Sequence, residues 1–435
     1  MSQLLFPIHS RQGKKHPTWS YEAVIYEFNV RQFTPQGTFD AAQKHLPRLR
    51  AMGIDILWMM PIFPIGELRR KGSLGSYYSI KDYTAVNHEF GTMEDFIAFI
   101  DHAHSLGMYV ILDWVANHTS RDAVWTTNKN WYEWDSTKNE IATPFDWSDT
   151  AKLDYSNPQM RHAMVEAMIF WLTKAHIDGF RMDMAMLVPT EFWEWATPQL
   201  EDVRADLFML AEAEGVEFHH RAFDATYGWQ MHHLLNDIAQ GKCNAHSLRA
   251  MISHKAWEYG AEPLQMQFTS NHDENSWNGT EYERMGDAAL QMTALTFILH
   301  GMPMIYSGQE TALNRRLQFF DKDCIEWQFG QDVELLYSKL CALKHSHPAL
   351  GGGAGGADIV SMDCVEDWRV VGLKRKIGDR VVMGVFNFSN SGVDTHFSDE
   401  DFNGQYNDLT STQTAHLQSD KLFWLPAHGW YIYYK

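Results

Sequence analysis

Cysteine is scarce in this sequence. The four present, Cys243, Cys324, Cys341 and Cys364, are widely spaced and form no CxxC pair. That spacing argues against a zinc site and reads as buried free thiols in a reducing compartment. No apolar run approaches the length of a membrane span, so no membrane partner is expected. The opening residues, MSQLLFPIHSRQGKKHP, hold a short apolar run before turning polar and lack the hydrophobic segment of a secretory leader. A cytoplasmic location is expected, with the reservation that a secreted chain stripped of its leader would look the same. Positive charge is also short. Lys and Arg total 36 against 55 Asp and Glu, a net charge of −19, and such a surface repels nucleic acid. No GxGxxG follows the first β-like run, which counts against an open dinucleotide-binding sheet, the competing architecture.

What is abundant is aromatic. Phe, Trp and Tyr make up 14% of the chain, with 17 Trp. Most serve packing, and several are expected to line a groove and stack on flat sugar faces. The remaining composition, 45% hydrophobic and 21% charged, is that of a globular protein. A length of 435 residues exceeds one small core and suits a large domain with a smaller one.

Short apolar runs alternate with helical patterns along most of the chain. Strands are expected at 23–30, 54–60, 108–115, 178–184, 207–212, 226–230, 264–271 and 302–308, with helices at 39–52, 94–106, 159–175 and 287–299. Such alternation implies a parallel sheet covered by helices, and eight units in this length fit an α/β (β/α)8 TIM barrel. Residues 119–157 hold no clear strand–helix unit but carry Trp125, Trp131, Trp134 and Trp147. They read as a short insertion after strand 3 that shapes the mouth of the barrel. The run GGGAGG at 351–356 reads as a loop or linker. Beyond it, WRVVGLKRK, RVVMGVFNFS and LFWLPAHGWYIYYK alternate as antiparallel strands do. The expected organisation is a barrel from 1–118 and 158–348, an inserted subdomain at 119–157, and a C-terminal antiparallel β-sandwich domain at 349–435.

A barrel places its chemistry at the C-terminal ends of its strands. The polar residues closing the apolar runs are Asp113, with Asn117 and His118 beyond it; Arg181 and Asp183; Glu212; and His272 and Asp273. Taken singly, each is more often a helix cap, an ion-pair partner or a satisfied core residue than a catalyst. Jointly, they place acidic or imidazole groups at half of the strand ends. Retaining glycosidic cleavage needs this kind of set: one ionised carboxylate to attack and one protonated carboxyl to donate. Arg181, two residues from Asp183 and on the same face of a strand, would keep Asp183 ionised. Burial after LFMLA would raise Glu212, as an acid requires.

The order DWVANHTS, DGFRMDMA, LAEAEG, TSNHDENS resembles the four signature regions of the α-amylase family of glycoside hydrolases. YYSIKDYTAVNHEFGT (77–92) and MIYSGQE (304–310) extend the resemblance over the whole chain. The resemblance implies Asp183 as nucleophile, Glu212 as acid and then base, and Asp273 as transition-state stabiliser. It implies Tyr78 stacking under the sugar at the scissile bond, with His118, Arg181 and His272 contacting the same sugar and Asp113 supporting the arginine. The implied substrate is an α-1,4-glucan of the starch type or a maltooligosaccharide. The alternatives are an α-glucosyl transferase or isomerase of the same family and a non-catalytic sugar-binding relative. The chemistry needs no cofactor. Asn117 matches a residue that often ligates calcium, but Met186-Leu187 stands where many members carry Lys-His, and the insertion shows no acidic ligand cluster. A structural calcium is left open, and neither a metal site nor an oligomeric state is assigned.

Overall fold

A computed structural model of the chain describes residues 14–411, 413–419 and 421–435; the reading that the opening run is no secretory leader falls on residues outside them. Eight parallel strands close into a barrel. They are β1 (Ile25–Phe28), β2 (Ile56–Met59), β3 (Tyr109–Trp114), β4 (Gly179–Met182), β5 (Phe208–Ala211), β6 (Ala225–Tyr227), β7 (Leu264–Gln267) and β8 (Met302–Tyr306). Each pairs with its neighbours in chain order, and β8 returns to β1. Side chains fill the barrel and helices cover it, so the strands are buried almost throughout and read as unbroken apolar runs.

The strands are shorter than their apolar runs, because the last residues of each run already turn into the mouth. The sixth ends at Tyr227, and Trp229 opens the helix Trp229–Ala239. The helix expected at 39–52 is divided into Phe39–Ala42, a tight turn, and Leu46–Met52. Pro47 is the cause. It has no N–H to give the preceding turn and is tolerated only where a helix begins. The helix Met93–Ser105 starts where its signals say, with Thr92 and Asp95 capping each other's backbone.

The chain between β3 and β4 holds two small antiparallel ladders, His118–Ser120 with Thr150–Lys152 and Trp134–Asp135 with Glu140–Ile141. Strands of two or three residues leave no period for a sequence reading to detect. After the barrel comes a six-stranded antiparallel sheet in the order Val360–Met362, Val370–Ile377, Arg380–Asn387, Trp430–Tyr434, Gly404–Asp408, Thr414–Leu417. One face, with Val371, Leu373, Phe386 and Ile432, joins the apolar core of the barrel. The other packs a separate core with Val393 and Leu425 from a two-stranded ladder.

The glycine run between these parts is not a loose linker. Gly351, Gly352 and Gly353 are buried, and Gly352 N–H donates to the Tyr21 carbonyl at 2.6 Å. A side chain at Gly356 would fall 1.9 Å from the Gly351 carbonyl, so the close approach itself demands glycine. The buried Arg375 guanidinium donates to the carbonyls of Ile298, Gly351 and Ala357, and so ties the sheet to the end of the barrel helix Ala289–Ile298. Of the cysteines, Cys341 is buried and the other three are half-buried, all unpaired. Among the described residues no helix is long and apolar enough to cross a membrane.

Candidate active site

The C-terminal mouth of the barrel opens on a cavity of about 370 Å³ lined by Tyr78, His118, Asp183, Glu212 and Asp273. Arg181 and His272 are buried directly behind it. The structure therefore brings all seven expected residues to one place.

Strand register sets the arrangement. Asp113 on β3 lies opposite Arg181 on β4, and Met182 lies opposite Ala211 on β5. Asp183 and Glu212 are the next residues along β4 and β5, so they leave adjacent strands side by side. Arg181, with no exposed side-chain surface, is the hub. Its Nη1 meets Asp113 Oδ1 at 2.8 Å and Asp183 Oδ1 at 3.2 Å, and its Nη2 lies 2.8 Å from Glu212 Oε2. Its Nε donates to the Tyr227 hydroxyl at 3.1 Å, and the Trp58 ring lies 4.8 Å beneath. The Nη2 contact is ionic, without the alignment of a hydrogen bond. Glu212 Oε2 instead accepts from Met184 N–H at 2.8 Å. That contact exists because Met184 takes a left-handed conformation, φ 44°, which turns its amide toward the carboxylate.

Both neighbouring carboxyls titrate upward. Burial raises Asp183 well above the usual range, and the adjacent Glu212 charge adds to this, outweighing Arg181. Burial also raises Glu212, against the pull of Arg181. The expectation that Arg181 keeps Asp183 ionised is corrected to this extent: Arg181 does lower Asp183, but one guanidinium is divided among three carboxylates, and burial and the adjacent Glu212 charge outweigh its pull.

Asp273 differs. Its side chain is 40% exposed, against 10% for Asp183 and 6% for Glu212, and it accepts from Trp277 Nε1 at 3.1 Å. His272 beside it stays charged. Burial opposes the charge, but Asp273 and Glu27 overcome it and lift the imidazole to about 9. His272 Nδ1 bonds Glu27, and Nε2 donates to the Tyr78 hydroxyl at 2.9 Å, which in turn donates to Asp113 at 3.0 Å. His118 lacks such partners, and burial lowers it to about 4, so it presents a neutral imidazole to the cavity.

Sequence reasoning missed Glu27, Trp58 and Tyr227. Each sits at or near the end of its strand, so the strand-end rule applies to them, but Glu27 lies inside AVIYEFNV, where it reads as a stray polar residue. It also missed the aromatic wall of Trp277, Phe319 and Phe320. Phe319 lies nearly parallel to Tyr78 (15°, centroids 6.2 Å apart). Of the four Trp residues noted in the insertion, Trp147 lines the cavity, whereas Trp125 packs on Tyr83 and Trp131.

The surroundings of Asn117 do not suit a calcium ion. Its amide bonds His118 Nδ1 at 3.2 Å. The small cavity beside it is shared with Lys152, whose ammonium meets Glu133 at 2.9 Å. The cation there is a lysine. Among the described residues no group of three or more His, Cys, Asp or Glu is placed to hold a metal. Excess chelator is expected to leave the melting temperature unchanged. A drop reversed by added calcium would refute this.

The fold and its mouth define a class, the (β/α)8 barrels of the glycoside-hydrolase type, with their ionisable groups gathered at the strand ends. Comparison with known proteins makes the assignment narrower. The profile of the alpha-amylase catalytic domain matches residues 25–344, and the chain belongs to that family. It is 27% identical over 401 residues to alpha-amylase MalA of Haloarcula japonica, a match covering 88% of this chain but 57% of that protein. It is 33% identical over 208 residues to the trehalose synthase of Pimelobacter sp., a match covering 39% of this chain and 35% of that protein. An alpha-amylase structure from Lactobacillus plantarum superposes with a TM-score of 0.85 at 28% identity, covering 95% of this chain and 99% of that one.

Proposed function

We propose that this chain is a retaining glycoside hydrolase that cleaves α-1,4-glucosidic bonds of starch-type glucans or maltooligosaccharides through a covalent glycosyl-enzyme intermediate. The observation that carries the reading is the pair Asp183 and Glu212, at the ends of adjacent strands on a shared guanidinium. Neighbouring strands run about 4.8 Å apart, so side-by-side strand ends suit the roughly 5–5.5 Å between carboxyl groups that retention requires.

In the proposed reaction Asp183 attacks the anomeric carbon while Glu212 gives its proton to the departing glycosidic oxygen. Glu212, now a carboxylate, takes a proton from water, and that water attacks the anomeric carbon and releases Asp183. Two inversions give net retention. The raised Glu212 suits the acid role. A substrate that reorganises the contacts of Arg181 toward Asp183 would ionise the nucleophile and leave the proton on Glu212. Asp273, the most exposed of the three carboxylates, is free to bind ring hydroxyls as charge develops. Tyr78 forms the apolar floor, and His118, Arg181 and His272 hold the same sugar.

The match to a trehalose synthase supports a second reading, in which a sugar rather than water intercepts the intermediate. One experiment addresses both. The protein is incubated with maltose, longer maltooligosaccharides and sucrose, and the products are resolved together with their anomeric form. Shorter α-anomeric products are expected. Trehalose or lengthened chains would favour the transferase, and an untouched set would refute both readings.

A further inference from the structure

The loop that leaves β2 closes one end of the groove. Gly66–Ser79 begins and ends at one point: Ile65 and Ile80 form an antiparallel bridge, and Gly66 N–H donates to the Ser79 carbonyl at 2.9 Å. Its length and pinched base are those of an Ω-loop. Two features make it rigid rather than a free flap. Arg70 bonds back to the Gly66 and Ile65 carbonyls at 2.8 and 3.0 Å. Gly72, at φ 62°, lies so close to the segment after β8 that a side chain there would come 2.4 Å from Phe320 Cβ.

Successive parts of this loop are fixed to two different elements that line the cavity, the insertion with Asp149 and the segment after β8 with Phe320. On the insertion side, Lys71 pairs with Asp149 at 3.3 Å, Arg69 with Glu140 at 2.8 Å, and Glu67 N–H donates to Asp122 at 3.0 Å. On the side of the segment after β8, Ser73 donates to Asp321 through its N–H at 2.9 Å and its hydroxyl at 2.5 Å, and Leu74 N–H donates to the Phe320 carbonyl at 3.0 Å. Lys71 and Ser76 line the cavity itself. Because β2 stands between β3 and β1 in the ring, and β8 adjoins β1, this bridge spans the mouth over β1 and β2. Across the ring, β6 passes through Gly228 alone into its helix, and β4 reaches its helix at Thr190. Among the described residues none between Glu212 and Asp273 lines the cavity, so the β5 and β6 connections raise no wall there.

The chemistry orients the substrate between the closed and open sides. A general acid must lie beside the leaving oxygen, so the departing chain extends from Glu212 on β5, toward the open side. Tyr78, the floor under the cleaved sugar, rises from the base of the Ω-loop. The closed end therefore faces the non-reducing end of the substrate. The cavity, about 370 Å³, is near the low end of the roughly 300–1,000 Å³ of ligand pockets.

We propose that the Gly66–Ser79 loop makes this a chain-end enzyme, which takes short maltooligosaccharides and the non-reducing tips of longer chains and does not cut within them. This rests on the glycosidase reading above. The test compares two p-nitrophenyl α-maltooligosaccharides of equal length, one with a free non-reducing end and one blocked there by an ethylidene acetal. Consumption by hydrolysis or transfer is followed chromatographically, with a cyclodextrin as an endless third substrate. The blocked substrate is expected to react at least about 100-fold more slowly than the free one, the scale of discrimination a shaped pocket gives, and the cyclodextrin not at all. Equal rates on the free and blocked substrates would overturn the chain-end proposal while leaving the glycosidase intact. No reaction with the free-ended substrate would overturn the glycosidase reading instead. The double variant Lys71→Ala/Ser73→Ala severs a tie to the insertion and one to the segment after β8, and is expected to raise the blocked-to-free rate ratio several-fold. Its reaction with the free substrate reports whether it has folded, and an unchanged ratio in a folded, active variant would count against the role of the loop.

Discussion

Asp183→Asn is expected to lower kcat on maltooligosaccharides by about 10⁴-fold or more while substrate binding persists. Asn has the shape of Asp and keeps an oxygen for Arg181 Nη1, which lies 3.2 Å from Asp183 Oδ1. What it loses is the ability to form the covalent ester. Stability should move the other way. A carboxyl raised by burial binds its proton more tightly folded than unfolded, so its ionisation at neutral pH works against the native state. Asn carries no charge to bury, and its melting temperature at pH 7 should equal or exceed that of the parent. Stopped turnover, retained binding and undiminished stability together separate a nucleophile from a structural residue. Near-normal kcat would remove Asp183 from that role. With Asp183→Gly, added azide should restore glycosyl transfer and yield the β-azide, because it enters from the face the carboxylate left.

Glu212→Gln should divide substrates by leaving group. Maltooligosaccharides, which need the proton, are expected to react about 10²–10⁴-fold more slowly. An α-glucosyl fluoride, whose leaving group needs little help, should still form the intermediate, which then persists because no base activates water. The pH profile follows from the same roles. Glu212 must be protonated, so its raised pKa gives a basic limb on which the rate falls as pH rises through it. Asp183 must be ionised, so the rate falls as pH drops through the lower apparent pKa of the pair. In Glu212→Gln assayed on the fluoride, the basic limb should vanish. If it stays, another group produces it. His272, held near 9, would be the first to test by His272→Gln.

How much of this was legible in advance depended on range. The barrel was readable because each strand is a short apolar run and each helix announces itself locally, as Thr92 and Asp95 do. The carboxylates were readable because strand ends are where a barrel shows polar groups. Glu27 was not, because its partner His272 stands 245 residues away, and nothing near either residue announces the other. The division of Arg181 among three carboxylates was hidden for a related reason. The pairing of Arg181 with Asp183 is visible two residues apart, but that with Glu212 exists only once β4 and β5 lie side by side. The Ω-loop escaped notice because its ties to Asp149 and Asp321 have no period.

The docked glycine run also bears on how the molecule comes apart. One face of the C-terminal sheet completes the apolar interior of the barrel, and Arg375 fastens the seam through buried carbonyls. Cutting the backbone at the glycines would divide the polypeptide without dividing what it encloses. A barrel trimmed at that point would face water with Ile298 and its neighbours uncovered. The two parts are therefore expected to melt in one transition, and the trimmed barrel is a poor starting point for a minimal enzyme.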